Sequence, residues 1–207
     1  MADETLADLD TTLSENGISL CALQEVRRDG FRSVNTNNYT IYWFGECSGH
    51  RGVGFAVHRS FVHLLKDVHP IPGSDGRLMT IELFLLDSNN PTTFICAYSP
   101  PNSSTTRKRE KFYSQLRRIV KPSSWLMGNL NARVGRSTSE ADSEFGAERS
   151  NTIRPWSLKG DIVPNANGSL LIDVAGENDY RHLSLHFAIR DSKRWTWKHP
   201  RYNTLAD

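Results

Sequence analysis

WLMGNLNARVG, residues 125–135, runs from an apolar stretch into a polar turn and places Asn129 and Asn131 two positions apart. The apolar half has the pattern of a buried strand, and Gly128 to Asn131 reads as the turn at its mouth. Two asparagines at such a turn have two readings. They are turn formers, or they are a catalytic pair in which one carboxylate has been replaced by an amide. The rest of the chain decides between these readings.

Upstream, RKREKFYSQLRRIV carries Phe112, Leu116, Ile119 and Val120 on one face and basic residues elsewhere, which predicts an amphipathic helix closed by Pro122. Before it, RLMTIELFLL (77–86) and TTFICAYS (92–99) predict a strand pair around a turn at residues 87–91, and YTIYWFGE (39–46) with GVGFAVHR (52–59) predicts a hairpin. ISLCALQE (18–25) reads as a strand buried on both faces. Leu6, Leu9 and Leu13 mark one face of a helix that Asn16–Gly17 stops. Downstream, residues 136–166 are polar and weakly patterned, NGSLLIDVAGEND (167–179) looks helical, and HLSLHFAIR (182–190) and WTWKHP (195–200) look like strands. Strands alternating with helices, several of them in hairpins, predict an α/β or α+β domain with a mixed sheet, taken as a single domain over residues 1–207.

With 207 residues, 38% of them hydrophobic and 23% charged, the composition is that of a globular domain. The net charge of +2 argues neither for nor against nucleic acid. No run approaches the roughly 18 apolar residues that span a bilayer, and the acidic start MADETLADLD is unlike a secretory signal. The expected location is therefore intracellular. Cys21, Cys47 and Cys96 are odd in number and far apart, a pattern of thiols without disulfide partners. His58, His63, His182 and His186 lack the spacing and carboxylate company of a zinc site.

Polar residues that end apolar strands are where ligands gather in layered α/β folds. Three such ends stand out: Gln24–Glu25, Tyr98–Ser99–Pro100 and Gly128–Asn129–Leu130–Asn131. Each alone has a plain explanation as a solvated or rim residue. In collinear order they resemble the endonuclease/exonuclease/phosphatase superfamily. The branch is that of the apurinic-type endonucleases carried by LINE-like non-LTR retrotransposons and their craniofacial-development-protein-like relatives. LCALQEVR is similar to the family's LxLQEt strand, GVGFAVHRS to GVGFxV, ICAYSPPNSS to xxAYAPT, and GNLNARVG to GDFNARVG. REKFYSQL resembles the family's next helix, NANGSLLIDVAGEN resembles NxNGxxLxxFAxxN, and WTWKHPR resembles TWxHPR.

The resemblance implies a two-layer β-sandwich flanked by helices, a four-layer fold whose strand ends converge on one divalent ion, Mg²⁺ or Mn²⁺. It implies a nuclear phosphodiesterase acting on duplex DNA, at target or abasic sites. By the same resemblance Glu25 binds the metal, Tyr98 and Asn131 contact the phosphate, and Asn129 stands where the family has the Asp that orients and deprotonates water. An amide keeps that shape but accepts no proton, and general-base help is worth about 10²- to 10⁴-fold. The family also begins with an Asn-bearing strand and ends with Asp–Tyr and Ser–Asp–His segments. Against that pattern the chain reads as incomplete at both ends, with Asp207 matching the first of those acids as a second metal ligand.

Arg133, and less directly Arg51 and Arg77, are the candidate DNA contacts. The basic residues Arg107, Lys108, Arg109, Lys111, Arg117 and Arg118 fit a phosphate track or a solvated helix face. The rival functional reading is a catalytically inactive remnant acting as a DNA- or protein-binding module. A phosphoesterase of small phosphates or lipids is a third, which the GVGFxV and TWxHPR matches disfavour.

Overall fold

The computed structural model describes residues 3–46, 49–85, 90–134, 164–178, 180, 197–198 and 205–206. Two compact units divide the chain: Met1–Tyr98 with Ser123–Asn129, and Ser99–Pro122 with Leu130–Asp207.

The first unit opens with α1 (Asp3–Glu15), which ends where Gly17 adopts φ 64° and Ile18 N–H returns to the Leu13 carbonyl at 3.0 Å. Next come four strands: β1 (Leu20–Gln24), β2 (Gly30–Asn35), β3 (Tyr39–Gly45) and β4 (Val53–His58). They pair antiparallel in the order β1-β4-β3-β2. A 3-10 turn at Arg59–Leu64, capped by the His58 ring accepting from Ser60 N–H, leads to the second sheet. That sheet has the order β5-β6-β7-β8, made of β5 (Leu65–Pro70), β6 (Leu78–Leu83), β7 (Thr92–Tyr98) and β8 (Trp125–Asn129). It is mixed: β5, β6 and β7 are antiparallel, and β8 joins β7 in parallel.

Strand alternation explains the layering. Val53, Phe55 and Val57 of β4 and Phe44 of β3 meet Met79, Ile81 and Cys96 of the other sheet in one buried cluster. The intervening residues Tyr39, Ile41 and Ala56 face the opposite way, onto Leu6 and Leu13 of α1. Each large apolar side chain taken out of water contributes about 1.5–3 kcal/mol. The helix-on-sheet-on-sheet order of this unit is the sandwich expected from the sequence.

In the second unit α2 (Thr106–Ile119) buries Phe112, Tyr113 and Leu116, and α3 (Ala166–Glu177) buries Leu171, Val174 and Ala175. Arg117 of α2 pairs with Glu177 of α3 at 3.0 Å and with Asp173 at 3.8 Å. Strand β9 (Trp197–Lys198) pairs antiparallel with β10 (Leu205–Ala206).

Two expectations change. β1 is half-buried along its length, not buried on both faces, because it is the end strand of its sheet and has a neighbour on one side only. β2 and β5 are additions to the expected strands: GFRSVN is an almost wholly exposed edge strand and LKDVHP a half-exposed one, so neither carries the apolar alternation that marks a strand. The predicted strand at 182–190, the loop up to residue 163, Trp195, His182, His186, His199, Cys47 and Asp207 lie outside the described residues. Cys21 and Cys96 are free thiols, and burial pushes the Cys96 thiol pKa up to about 11. No described helix is long and apolar enough to cross a membrane.

Candidate active site

In the first unit, the chain leaves β1 through a strained turn. Glu25 takes φ 57° and Arg27 φ 53°, while Val26 between them is buried. Val26 N–H and Arg27 N–H bond the carbonyls of Gly52 at 3.3 Å and Arg51 at 2.7 Å, just before β4. Arg51 is itself left-handed, at φ 62°. A non-glycine residue in this region costs about 1–3 kcal/mol, and such strain concentrates at functional sites. Gly52 is required here, since a Cβ would lie 2.5 Å from Val26 Cγ2. The turn directs Val26 into the core and leaves Glu25 exposed at the strand end.

The hydroxyl of Tyr98, the last residue of β7, is the largest influence on the Glu25 carboxylate. The nearby Tyr98 hydroxyl, aided by Arg27 at 3.1 Å and the charge of Arg77, holds the Glu25 carboxyl below its ordinary range against the opposing effect of burial. Burial and the Glu25 carboxylate raise the Tyr98 hydroxyl, so it stays protonated and can donate at neutral pH. Arg77 lies under this pair. Its side chain is buried, Nη1 donates to the Tyr98 carbonyl at 2.9 Å, and its guanidinium sits 5.0 Å from the Tyr98 ring centre. The two backbones are joined as well, Tyr98 N–H to Arg77 O at 2.8 Å. Burial and the nearby Arg51 lower the Arg77 pKa. Arg51 is half-exposed and pairs loosely with Asp75 at 3.9 Å.

Asn129 ends β8 directly beside Tyr98, its partner in the parallel register, and its side chain is exposed. Gly128 precedes it at φ 123°, a conformation open to glycine alone, and a Cβ there would lie 2.1 Å from the Ala97 carbonyl oxygen.

Asn131 belongs to the second unit. It adopts φ 46° and donates Nδ2 to the Ser99 carbonyl at 2.9 Å. Its own carbonyl accepts from Asn165 and Asn167, both at 3.2 Å. Arg133 has an exposed side chain and is tied through its backbone to Asn165.

The structure thus places Glu25 and Tyr98 close enough to influence each other's ionisation and sets Asn129 in register with Tyr98. It places Arg77 as their support, with a guanidinium engaged by Tyr98 instead of facing solvent. Sequence reasoning missed Arg27, whose left-handed turn has no residue-type signal, and Asn165 and Asn167, for which the string NANG was the available clue. Among the described residues no group of three or more His, Cys, Asp or Glu side chains is placed to hold a metal ion. Glu25, ionised and partly exposed, fits a Mg²⁺ ion held by one protein carboxylate with water and substrate oxygens completing the shell.

Solved structures similar to this chain include two endonucleases. The endonuclease domain of TRAS1, a telomere-specific non-LTR retrotransposon, is 17% identical with a TM-score of 0.48, over 85% of this chain and 67% of that one. The AP endonuclease LMAP from Leishmania major is 14% identical with a TM-score of 0.46, over 66% of this chain and 54% of that one. The chain therefore spans about half the length of the Leishmania enzyme. No family model matches the chain. No curated protein matches it.

Proposed function

We propose that this chain is a DNA endonuclease domain of the non-LTR retrotransposon type, hydrolysing phosphodiester bonds in duplex DNA in the nucleus, with its water-activating step weakened at Asn129. The observation that carries this reading is the gathering of Glu25, Tyr98 and Asn129 at the strand ends, with Tyr98 in register with Asn129 and backed by the buried Arg77. The collinear sequence motifs support it independently. Glu25 would hold the Mg²⁺ or Mn²⁺ ion, which when bound offsets charge growing on the phosphate oxygens. Tyr98 keeps its proton at neutral pH and offers it as a hydrogen bond to a phosphate oxygen. Asn131, by the sequence resemblance, hydrogen-bonds the phosphate, and Arg133 meets the backbone. Asn129 orients a water through its amide oxygen and takes no proton from it.

Nicking of supercoiled plasmid in Mg²⁺ tests the reading. Asn129→Asp should raise the rate by about 10²- to 10⁴-fold over the parent, and Tyr98→Phe in that background should lose most of the gain. Absence of nicking by the folded Asn129→Asp variant would sink it. One observation favours a second reading, a DNA-binding module without cleavage: the Tyr98 surroundings are rich in guanidinium and Asn129 supplies no charge. That reading predicts duplex binding with a steep salt dependence in parent and variant alike, with no nicking by either.

A further inference from the structure

Asn131 is held by more than its place in the chain. Its left-handed backbone at φ 46° directs its carbonyl oxygen toward two amide donors, Asn165 Nδ2 and Asn167 Nδ2, each at 3.2 Å. Asn165 works in three directions. Its Oδ1 accepts from Gly168 N–H at 2.7 Å, capping α3, and from Arg133 N–H at 3.1 Å, while its Nδ2 reaches Asn131. Asn167 is wholly buried and spans two carbonyls with one amide group, Pro100 O at 2.8 Å and Asn131 O at 3.2 Å. Since both neighbours are acceptors, only the NH₂ end can face them. Its Oδ1 then points away, buried and without a partner among the described groups. A leucine would occupy similar space without orphaning an acceptor, so what asparagine adds at this position is its donors. Gly168 completes the fit, because any Cβ there would lie 1.9 Å from the Arg133 carbonyl oxygen.

We propose that Asn165 and Asn167 are positioning residues for Asn131: their amide groups clamp its carbonyl oxygen and thereby fix the left-handed turn that presents its side chain. The functional consequence rests on the reading of Asn131 as a phosphate contact. The clamp itself rests on the geometry alone. It links the start of helix α3 to the turn at Asn131.

Asn165→Asp separates positioning from folding. Aspartate caps a helix as well as asparagine does and keeps both Oδ1 bonds, but it turns an oxygen toward the Asn131 carbonyl in place of a donor. In the Asn129→Asp chain, three quantities are measured: the melting curve with amide exchange in α3, the Asn131 ¹³Cα chemical shift, and Mg²⁺-dependent plasmid nicking. The expected result is an unchanged melt and α3 protection, a displaced Asn131 shift, and nicking reduced about as far as by Asn131→Ala. Asn167→Asp, which turns an oxygen toward both carbonyls, should displace the same resonance further where it folds. An Asn131 resonance unmoved by Asn165→Asp overturns the clamp whatever the nicking shows. A displaced resonance together with undiminished nicking by Asn131→Ala supports the clamp and instead refutes the phosphate-contact reading.

Discussion

Gly128→Ala is the sharpest perturbation of the candidate site that changes none of its functional side chains chemically. The added Cβ would stand 2.1 Å from the Ala97 carbonyl oxygen, and real contacts of this kind do not fall below 3.0 Å, so β8 must retreat by about 0.9 Å. β7 cannot yield, because it is hydrogen-bonded to β6 on one side and β8 on the other. Alanine at φ 123° adds strain of about 1–3 kcal/mol, and the forced displacement adds about 1–3 kcal/mol more, for a total of about 4 kcal/mol. In a chain of this length each kcal/mol moves the midpoint by about 2–4 °C, so the expected fall in Tm is about 8–16 °C. Asn129, one residue on, moves away from Tyr98 by a similar distance, and an error of about 1 Å in a reacting group costs about 10²-fold in rate. Differential scanning calorimetry measures the first effect, and plasmid nicking in the Asn129→Asp background measures the second. Gly176→Ala serves as the control: nothing lies within 4 Å of its Cβ position on α3, so it should raise stability by about 0.5–1 kcal/mol. A Gly128→Ala melt within about 2 °C of the parent would refute the steric reasoning.

Tyr98→Phe removes the largest influence lowering the Glu25 pKa, so Glu25 should titrate at higher pH in the variant, followed by the ¹³C shift of its carboxyl carbon. An unchanged titration would mean that the Tyr98 hydroxyl does not donate to it. Asp10→Ala tests the link between α1 and the β2–β3 turn. Burial opposes ionisation of Asp10, but hydrogen bonds from the Thr36 hydroxyl and from Asn38 N and Nδ2, at 2.8 and 2.7 Å, outweigh it and lower its pKa. Bonds to a charged acceptor are worth about 1.5–3 kcal/mol, the loss expected near neutral pH. A lowered folded pKa gives stability that is present above the unfolded value, about 3.9, and lost as pH falls through the folded one. The gap between parent and Asp10→Ala should therefore close in acid, as urea midpoints across pH will show. A constant gap would mean that packing dominates.

The strands that carry the inter-sheet core were legible because each buries alternate residues: Val53, Phe55 and Val57 spell a period of two, and β6 and β7 are apolar enough to stand out from their turns. β2 and β5 were not, since edge strands are fixed by pairing with β3 and β6 and not by a hydrophobic face of their own. At the site, Glu25 and Tyr98 were readable as polar residues closing apolar runs, because a strand emerging from the core exposes its last side chains. Arg77 read as a weaker candidate DNA contact, and its burial comes from the register of β6 against β7, which no local pattern encodes. The clamp on Asn131 was hidden for the same reason: Asn165 falls in the polar stretch 136–166 and Asn167 at the start of the expected helix, and their amides matter through a carbonyl more than thirty residues away in sequence.

The charges around Tyr98 decide how metal removal should act. Glu25 and Asp75 share their surroundings with Arg27, Arg51 and Arg77, three guanidiniums against two carboxylates, and Asn129 contributes no charge. A carboxylate at position 129 would add a second negative group near Glu25, and like charges of that kind raise each other's pKa unless a cation stands between them. With an amide there, Glu25 is ionised by Tyr98 and the arginines alone, so nothing but a phosphate oxygen needs the ion. Duplex association should then survive EDTA, with an affinity that falls steeply as salt rises. Asn129→Asp should behave differently: its extra charge repels phosphate in EDTA, and Mg²⁺ restores binding. Fluorescence anisotropy with a labelled duplex, titrated in EDTA and in Mg²⁺, reads both arms. Loss of binding by the parent chain in EDTA would show that Glu25 alone recruits an ion on which DNA association depends, and the charge reasoning would fall with it.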